Sequence, residues 1–177
     1  MKYIDFKQKL MPMGAFSLAD ISRFYPDFDR RRLSEWQEKG YLLKIRREWY
    51  CFSDYEKSEI FSFFIANRIY SPSYISMESA MSYHGIIPEA VYSISSVTTN
   101  KTKTFDTPSG SMVYKTIKPE LFFGYQITQH DGKPVKIASP EKALLDFLYL
   151  TISTEPKMNL LNFVCHLRVY RCRNSNS

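Results

Sequence analysis

Length, composition and charge limit what this chain of 177 residues can be. A hydrophobic content of 44% and an aromatic content of 16% supply a real core and argue against intrinsic disorder. No stretch approaches the ~20 apolar residues that span a bilayer, and the N-terminus lacks the apolar core of a signal peptide. We therefore expect a cytoplasmic protein without membrane partners, whose net charge of +6 suits a polyanion.

The first predicted helix starts after Ser17, a good N-cap, with Asp20 placed to complete a capping box. Pro26 forces the chain out of the helix. Between Ser17 and Pro26, apolar side chains at helical spacing form one stripe, made of Leu18, Ile21, Phe24 and Tyr25.

The second predicted helix follows a turn and opens with three consecutive arginines, Arg30, Arg31 and Arg32. Asp29 can cap it, and Gly40 is placed to end it as a left-handed residue. Its inward face carries Leu33 and Trp36. At ~100° per residue, Arg31 then points almost directly away from that face.

Positive charge at a helix N-terminus opposes the helix dipole, so the three arginines destabilise the helix unless an external anion binds them. Phosphate is the obvious anion. The alternative interpretation is a solvated arginine face that nearby acids neutralise, namely Asp27, Asp29, Glu35 and Glu38.

A basic hairpin follows, with strands at residues 41–45 and 49–52 and a charged loop at residues 46–48. We call this hairpin the wing; two short helices followed by a wing predict a winged helix-turn-helix. Eleven Lys and Arg outnumber seven Asp and Glu over residues 1–52, so most of the positive charge lies here. We predict that base edges meet Arg31, Ser34, Arg30 and Gln37, and that phosphates meet Arg32, Lys44, Arg46 and Arg47.

The pattern divides the chain into a DNA-binding domain at residues 1–55 and an α+β domain at residues 56–177. The second domain begins with a helix at residues 56–70 and continues with a short helix that Ser76 caps and Gly85 ends. Three to five strands follow over residues 92–136, with a hairpin turn at Asp131-Gly132. A helix capped by Ser139 and a last amphipathic helix at residues 158–170 complete an α+β fold with a small, mostly antiparallel sheet.

The order of several short pieces resembles the AbiEi family of antitoxins. They are the hairpin of residues 40–52, the segments Tyr74-Ile75-Ser76, Glu78-Ser79-Ala80 and His84-Gly85, and the block of residues 137–146. The resemblance covers roughly residues 17–150, and its most specific piece is residues 138–146. It implies a winged helix that binds operator DNA, a second domain that supplies antitoxicity, and a nucleotidyltransferase-like toxin encoded by the partner gene.

The chain departs from the family pattern at two places. Family members often carry a glycine at the wing turn, where this chain has Arg47-Glu48. The second domain of the family usually continues well beyond the helix that contains Leu145 and Asp146, so the resemblance implies a domain shortened at its C-terminus. It supplies no catalytic residue.

Other reactive residues do not form a recognisable catalytic or metal site. His84 has no Cys or His at ligand spacing, and Cys165, His166 and Cys172 lack a fourth ligand, which favours core packing over metal binding. Three widely spaced cysteines, with Cys51 the first, indicate neither a disulfide framework nor a zinc ribbon. The acids that could hold magnesium lack a nuclease spacing; they are Glu78, Glu120, Glu141 and Asp146.

The sequence therefore predicts a bacterial DNA-binding autorepressor and antitoxin that has no enzymatic activity and uses no cofactor or metal. Two alternatives remain open. The first is an interaction protein whose winged helix contacts other proteins, and the second is a metal-dependent enzyme acting on nucleic acid.

Overall fold

A computed structural model describes residues 2–55, 58–88 and 93–154. These residues form a mixed α and β structure with two separate sheets, one of three strands and one of six. The expected α+β class is confirmed at this level. The predicted helix at residues 158–170 lies outside the described residues, as do Cys165, His166 and Cys172.

The first 55 residues build what we call the N-terminal unit. In chain order it contains α1 (Tyr3–Leu10), a 3₁₀ turn (Met11–Met13), β1 (Ala15–Ser17), α2 (Leu18–Phe24), α3 (Arg31–Glu38), β2 (Leu42–Arg46) and β3 (Trp49–Phe52). The sheet is antiparallel with the order β1, β3, β2. The sequence patterns above do not predict α1, which buries Phe6 and Leu10 completely.

Local hydrogen bonds explain where α2 and α3 begin and end. The predicted capping box is confirmed, because the Asp20 amide donates to Ser17 Oγ while the Ser17 amide donates to the Asp20 carboxylate. Gly40 ends α3 with a φ of 70°. There the Gly40 amide donates to the Gln37 carbonyl and the Tyr41 amide donates to the Trp36 carbonyl, which is a Schellman motif.

Residues 58–154 form the second unit. Its elements are α4 (Glu59–Ile69), β4 (Ser73–Ile75), α5 (Met77–Tyr83), β5 (Ser93–Thr98), β6 (Lys103–Thr107), β7 (Gly110–Thr116), a 3₁₀ turn (Pro119–Leu121), β8 (Tyr125–His130), β9 (Lys133–Ala138) and α6 (Pro140–Thr154). The strand order is β6, β7, β5, β4, β9, β8. Three pairings are antiparallel and two are parallel, so the sheet is mostly antiparallel, as expected, but with six strands it is larger than the small sheet expected.

Most of the predicted turns and caps of the second unit are confirmed. Asp131-Gly132 forms the turn between β8 and β9, and Gly85 ends α5 with a φ of 69°. The Lys142 amide donates to Ser139 Oγ at 3.3 Å, so Ser139 caps α6. Ser76 is different, because it precedes α5 but makes no side-chain cap; its hydroxyl donates to Asp146.

Two hydrophobic clusters fill the described part of the chain. One lies wholly within the N-terminal unit and includes the buried rings of Phe6, Phe16, Trp36 and Phe52. The other joins α4, α5 and α6 to the six-stranded sheet, yet it also contains Ala15, Ile45 and Cys51 of the N-terminal unit. The two units therefore share a core across the boundary at residues 53–58. None of the described helices combines the length and apolarity that crossing a bilayer requires.

Candidate nucleic-acid interface

The α3 helix presents a basic N-terminus to solvent because its apolar residues are buried in the core. Leu33 and Trp36 are buried, and Trp36 contacts the Phe6 ring at 4.7 Å between centroids. Arg31 and Ser34 lie on the exposed side of the helix, as their spacing predicts. Neither Arg30 nor Arg31 forms an ion pair with a carboxylate in the described part of the chain.

Asp29 supports this helix start through the backbone of α3. Its Oδ1 accepts from the Arg31 backbone amide at 3.0 Å, although Arg30 occupies the N-cap position itself. Arg30 also lies near the hairpin. Burial raises the pKa of Tyr50 on β3, and the positive charge of Arg30 opposes that rise. The N-terminus of α3 and the hairpin thus form one surface.

Two other predicted contact residues of α3 are partly withdrawn from solvent. The Gln37 side-chain amide donates to the Leu33 carbonyl one turn earlier at 2.8 Å. Arg32 is half-buried. Gln37 would therefore contact bases only after its side chain broke the hydrogen bond to the Leu33 carbonyl.

The predicted wing is a short hairpin that is fixed at its tip. Arg47 and Glu48 form its two-residue turn, and the Glu48 carbonyl accepts from the Leu18 amide of α2 at 3.0 Å. Glu48 has a φ of 66°, in the left-handed region that glycine occupies most readily.

The three basic residues of the hairpin have different surroundings. Lys44 and Arg47 are exposed. Arg46 is half-buried, and its guanidinium lies 4.4 Å from the centroid of the Phe105 ring on β6. Its Nε is buried without a hydrogen-bond partner among the described residues. Arg46 therefore joins the hairpin to the second unit.

The structure brings Arg30, Arg31 and Ser34 together on the exposed side of α3, with Lys44 and Arg47 exposed on the hairpin. Local spacing is sufficient to predict this exposure. Phe105 was missed as the partner of Arg46, because it lies 59 positions further along the chain with no local signal pointing to the wing.

A second cluster of chemically active groups lies inside the second unit. The Asp146 carboxylate is 1% exposed and accepts from Tyr74, Ser76 and Lys142 at 2.8, 2.8 and 2.6 Å. Lys142 also donates to the Leu121 carbonyl at 2.9 Å. Burial raises the pKa of Tyr74, and the neighbouring Asp146 carboxylate raises it further. We call this set the buried polar cluster; it belongs to the segments that carry the family resemblance.

The remaining candidate residues lie in separate structural settings. His84 Nε2 is 2.8 Å from the Ala138 carbonyl. Glu141 is exposed, and donation from its own backbone amide and from Ser139 lowers its pKa. Glu78 lies in the first turn of α5, whereas Glu120 lies in the 3₁₀ turn before β8. Within residues 2–55, 58–88 and 93–154 there is no group of three or more His, Cys, Asp and Glu suited to a metal ion.

Comparison of the sequence with protein-family models and with curated proteins finds no match.

Proposed function

We propose that this chain is a DNA-binding regulator whose N-terminal unit is a winged helix-turn-helix. The element order supports this, since α2 and α3 are joined by a six-residue turn and followed by the β2–β3 hairpin. The observation that carries the proposal is the exposed Arg31 at the N-terminus of α3, which has no carboxylate partner among the described residues, with Arg30 beside it. Cations at this end of a helix are unfavourable until an anion approaches them.

In this proposal α3 enters the major groove, which is wide enough for one helix. Leu33 and Trp36 keep the opposite side of α3 against the core, so Arg31 and Ser34 face the bases. Arginine forms bidentate hydrogen bonds to guanine O6 and N7 in that groove. Arg30 then contacts either the flanking base or the adjacent phosphate.

The hairpin supplies contacts to the DNA backbone. Lys44 and Arg47 are exposed and hold phosphates, which positions the protein without reading sequence. Arg46 contributes less because its guanidinium lies over Phe105. Arg32 is half-buried and Gln37 donates to the Leu33 carbonyl, so we assign both a smaller part in DNA binding.

The regulatory part of the proposal follows the family resemblance. Binding to the promoter of its own operon would repress transcription by occlusion, and the second unit would oppose a nucleotidyltransferase-like toxin in the bacterial cytoplasm. The segments that carry the resemblance in the second unit contain the buried polar cluster. We also propose that the chain is not an enzyme, since Asp146 is enclosed by three hydrogen-bond donors.

The test is binding of the full chain to a fluorescent duplex taken from upstream of its own gene, compared with a shuffled duplex. We expect the upstream duplex to bind about 10³-fold more tightly, within the usual range for specific recognition. Over a salt series, the two phosphate contacts of Lys44 and Arg47 would give a slope near −1.8 in log K against log [salt]. Equal affinity for both duplexes, or a slope near zero, would overturn the proposal.

The same measurements separate the alternative functions. An interaction protein that uses the N-terminal unit as a protein contact surface would show no salt-dependent DNA binding. An enzyme acting on nucleic acid would show turnover with magnesium, manganese or zinc that is lost in Glu141→Ala or Asp146→Ala while circular dichroism shows that the variant is still folded. Co-expression with a neighbouring toxin gene tests antitoxicity, and survival should require the second unit.

A further inference from the structure

A cleft lies where the two units meet, away from the exposed arginines of α3. It is lined by the 3₁₀ turn that follows α1, by the C-terminal half of α4 and by the β8–β9 hairpin, and its volume is about 350 Å³. This is within the range of pockets that hold small molecules. The cleft is therefore large enough for a ligand of its own.

The charge of the cleft is entirely positive. Its ionisable lining residues are Arg68, Lys133 and Lys136, and no acidic residue is among those that line it. The Asp20 carboxylate approaches Arg68 at 3.7 Å, but it also accepts both the backbone amide and the hydroxyl of Ser17. An anion is the ligand that this lining favours.

Each of the three cations also has a contact of its own within the protein. The Lys136 ammonium lies 5.7 Å from the Tyr125 ring centroid, and the Arg68 guanidinium lies 5.9 Å from that of Trp49. The Lys133 ammonium makes a long contact of 3.4 Å to the Asp131 carbonyl and lies 5.2 Å from the Tyr55 ring centroid. We therefore assign the charge of the site to the three cations together.

Two hydrogen-bond donors at the cleft have no partner in the described part of the chain. They are Asn67 Nδ2 and Arg68 Nε, and both are buried. A buried donor without an acceptor is costly, and such groups in native structures call for an explanation. A ligand rich in acceptor oxygens would meet both after a change of side-chain rotamer.

Most of the remaining lining, which we call the apolar wall, comes from apolar side chains. They are Pro12, Met13, Phe64 and Pro134. Apolar side chains beside three cations favour a ligand that combines a ring with an anionic group.

We propose that this cleft binds a small organic phosphate that carries a flat ring, such as a nucleoside monophosphate. The phosphate lies against the three cations, and the ring packs against Met13 and Phe64. This site does not depend on DNA binding, so its failure would leave the proposed function unchanged.

The test is calorimetric titration of the full chain with AMP, with adenosine and with inorganic phosphate. We expect AMP to bind with 1:1 stoichiometry, adenosine to bind at least about tenfold more weakly, and Lys133→Gln to weaken AMP about 10- to 100-fold. Lys118→Gln, an exposed lysine outside the cleft, is the matched control and should bind within twofold of the unchanged chain.

A second variant tests the apolar wall. Met13→Ala should weaken AMP while leaving the affinity for inorganic phosphate unchanged. On the unmodified chain, AMP should shift the backbone amide resonances of Gly132 and Lys133, which locates the ligand even if a variant fails to fold. No binding of AMP up to about 10 mM, or equal binding by Lys133→Gln, would overturn the proposal.

Discussion

The N-termini of α3 and α6 show two ways of placing a cation in the first turn of a helix. In α6, Lys142 is 5% exposed and its ammonium is held by Asp146 and the Leu121 carbonyl. In α3, Arg31 is exposed and has no carboxylate partner within the described residues. The first arrangement fixes the fold, whereas the second leaves a charge available to an external anion. Substitutions in the two turns should therefore affect different properties.

The largest effect is expected inside the second unit. Asp146→Ala should lower the free energy of unfolding by about 3–5 kcal/mol, because it leaves the Lys142 ammonium buried without its counter-ion. Urea unfolding followed by circular dichroism measures this. The control is the double variant Lys142→Met, Asp146→Leu, which removes both charges and should recover part of the loss. A change below about 0.5 kcal/mol in Asp146→Ala would show that the pair is not structural.

The buried polar cluster should also make stability sensitive to alkali. Because the pKa of Tyr74 is raised, the folded chain keeps the phenol proton above pH 10.0, where the unfolded chain loses it. This contribution is complete below pH 10.0 and is lost as the pH rises through the folded-state pKa.

Tyr74→Phe should cost about 1.5–3 kcal/mol at neutral pH, since one donor to a carboxylate is lost. Between pH 9 and 11 its free energy of unfolding should fall less steeply than that of the unchanged chain, with Tyr114 still contributing because burial raises its pKa as well. If the free energy of unfolding fell equally steeply with pH in the two proteins, Tyr74 would not be a source of the sensitivity to alkali.

In the α3 turn the expected effect is on binding. Arg31→Ala should weaken specific DNA binding by about 1–3 kcal/mol if the guanidinium reads a base edge. Its free energy of unfolding should not fall, because no described carboxylate pairs with it. Lys118→Ala is a matched exposed cation outside α3 and should bind normally. Unchanged affinity in folded Arg31→Ala would contradict the assignment.

The smallest effect should distinguish the two arginines of the hairpin. Arg47→Ala should weaken binding to all duplexes alike and reduce the salt slope by about 0.9, the value for one phosphate contact. Arg46→Ala should change the slope less and should lower stability, since the contact with Phe105 is lost. A larger slope change for Arg46→Ala, measured over the same salt series, would reverse these roles.

The sequence predicts the parts of the structure that depend on neighbours within one or two helical turns. The capping pair of Ser17 and Asp20, the left-handed Gly40 and Gly85, and the inward side of α3 all follow from such short-range rules. These local rules also account for the exposure of Arg31.

Long-range contacts cannot be predicted from these short-range rules. Ser76 has the sequence of an N-cap, yet its hydroxyl donates to Asp146, which lies 70 positions later. The parallel pairing of β4 with β9 joins Ile75 to Ile137, and nothing in either segment specifies that partner. The sequence predicts Arg46 to be an exposed cation of the wing, but the fold brings its guanidinium over the Phe105 ring. Each of these outcomes depends on chain topology and not on local propensity.

The shared core has a consequence for how the molecule melts. Both tryptophans of the chain, Trp36 and Trp49, lie in the N-terminal unit. Because Ile45 and Cys51 on the hairpin belong to the same core as α4, loss of the large core removes contacts from the strand that carries Trp49. We therefore expect the fluorescence of Trp49 to follow loss of the large core, whereas Trp36 on α3 reports on the cluster that lies wholly within the N-terminal unit.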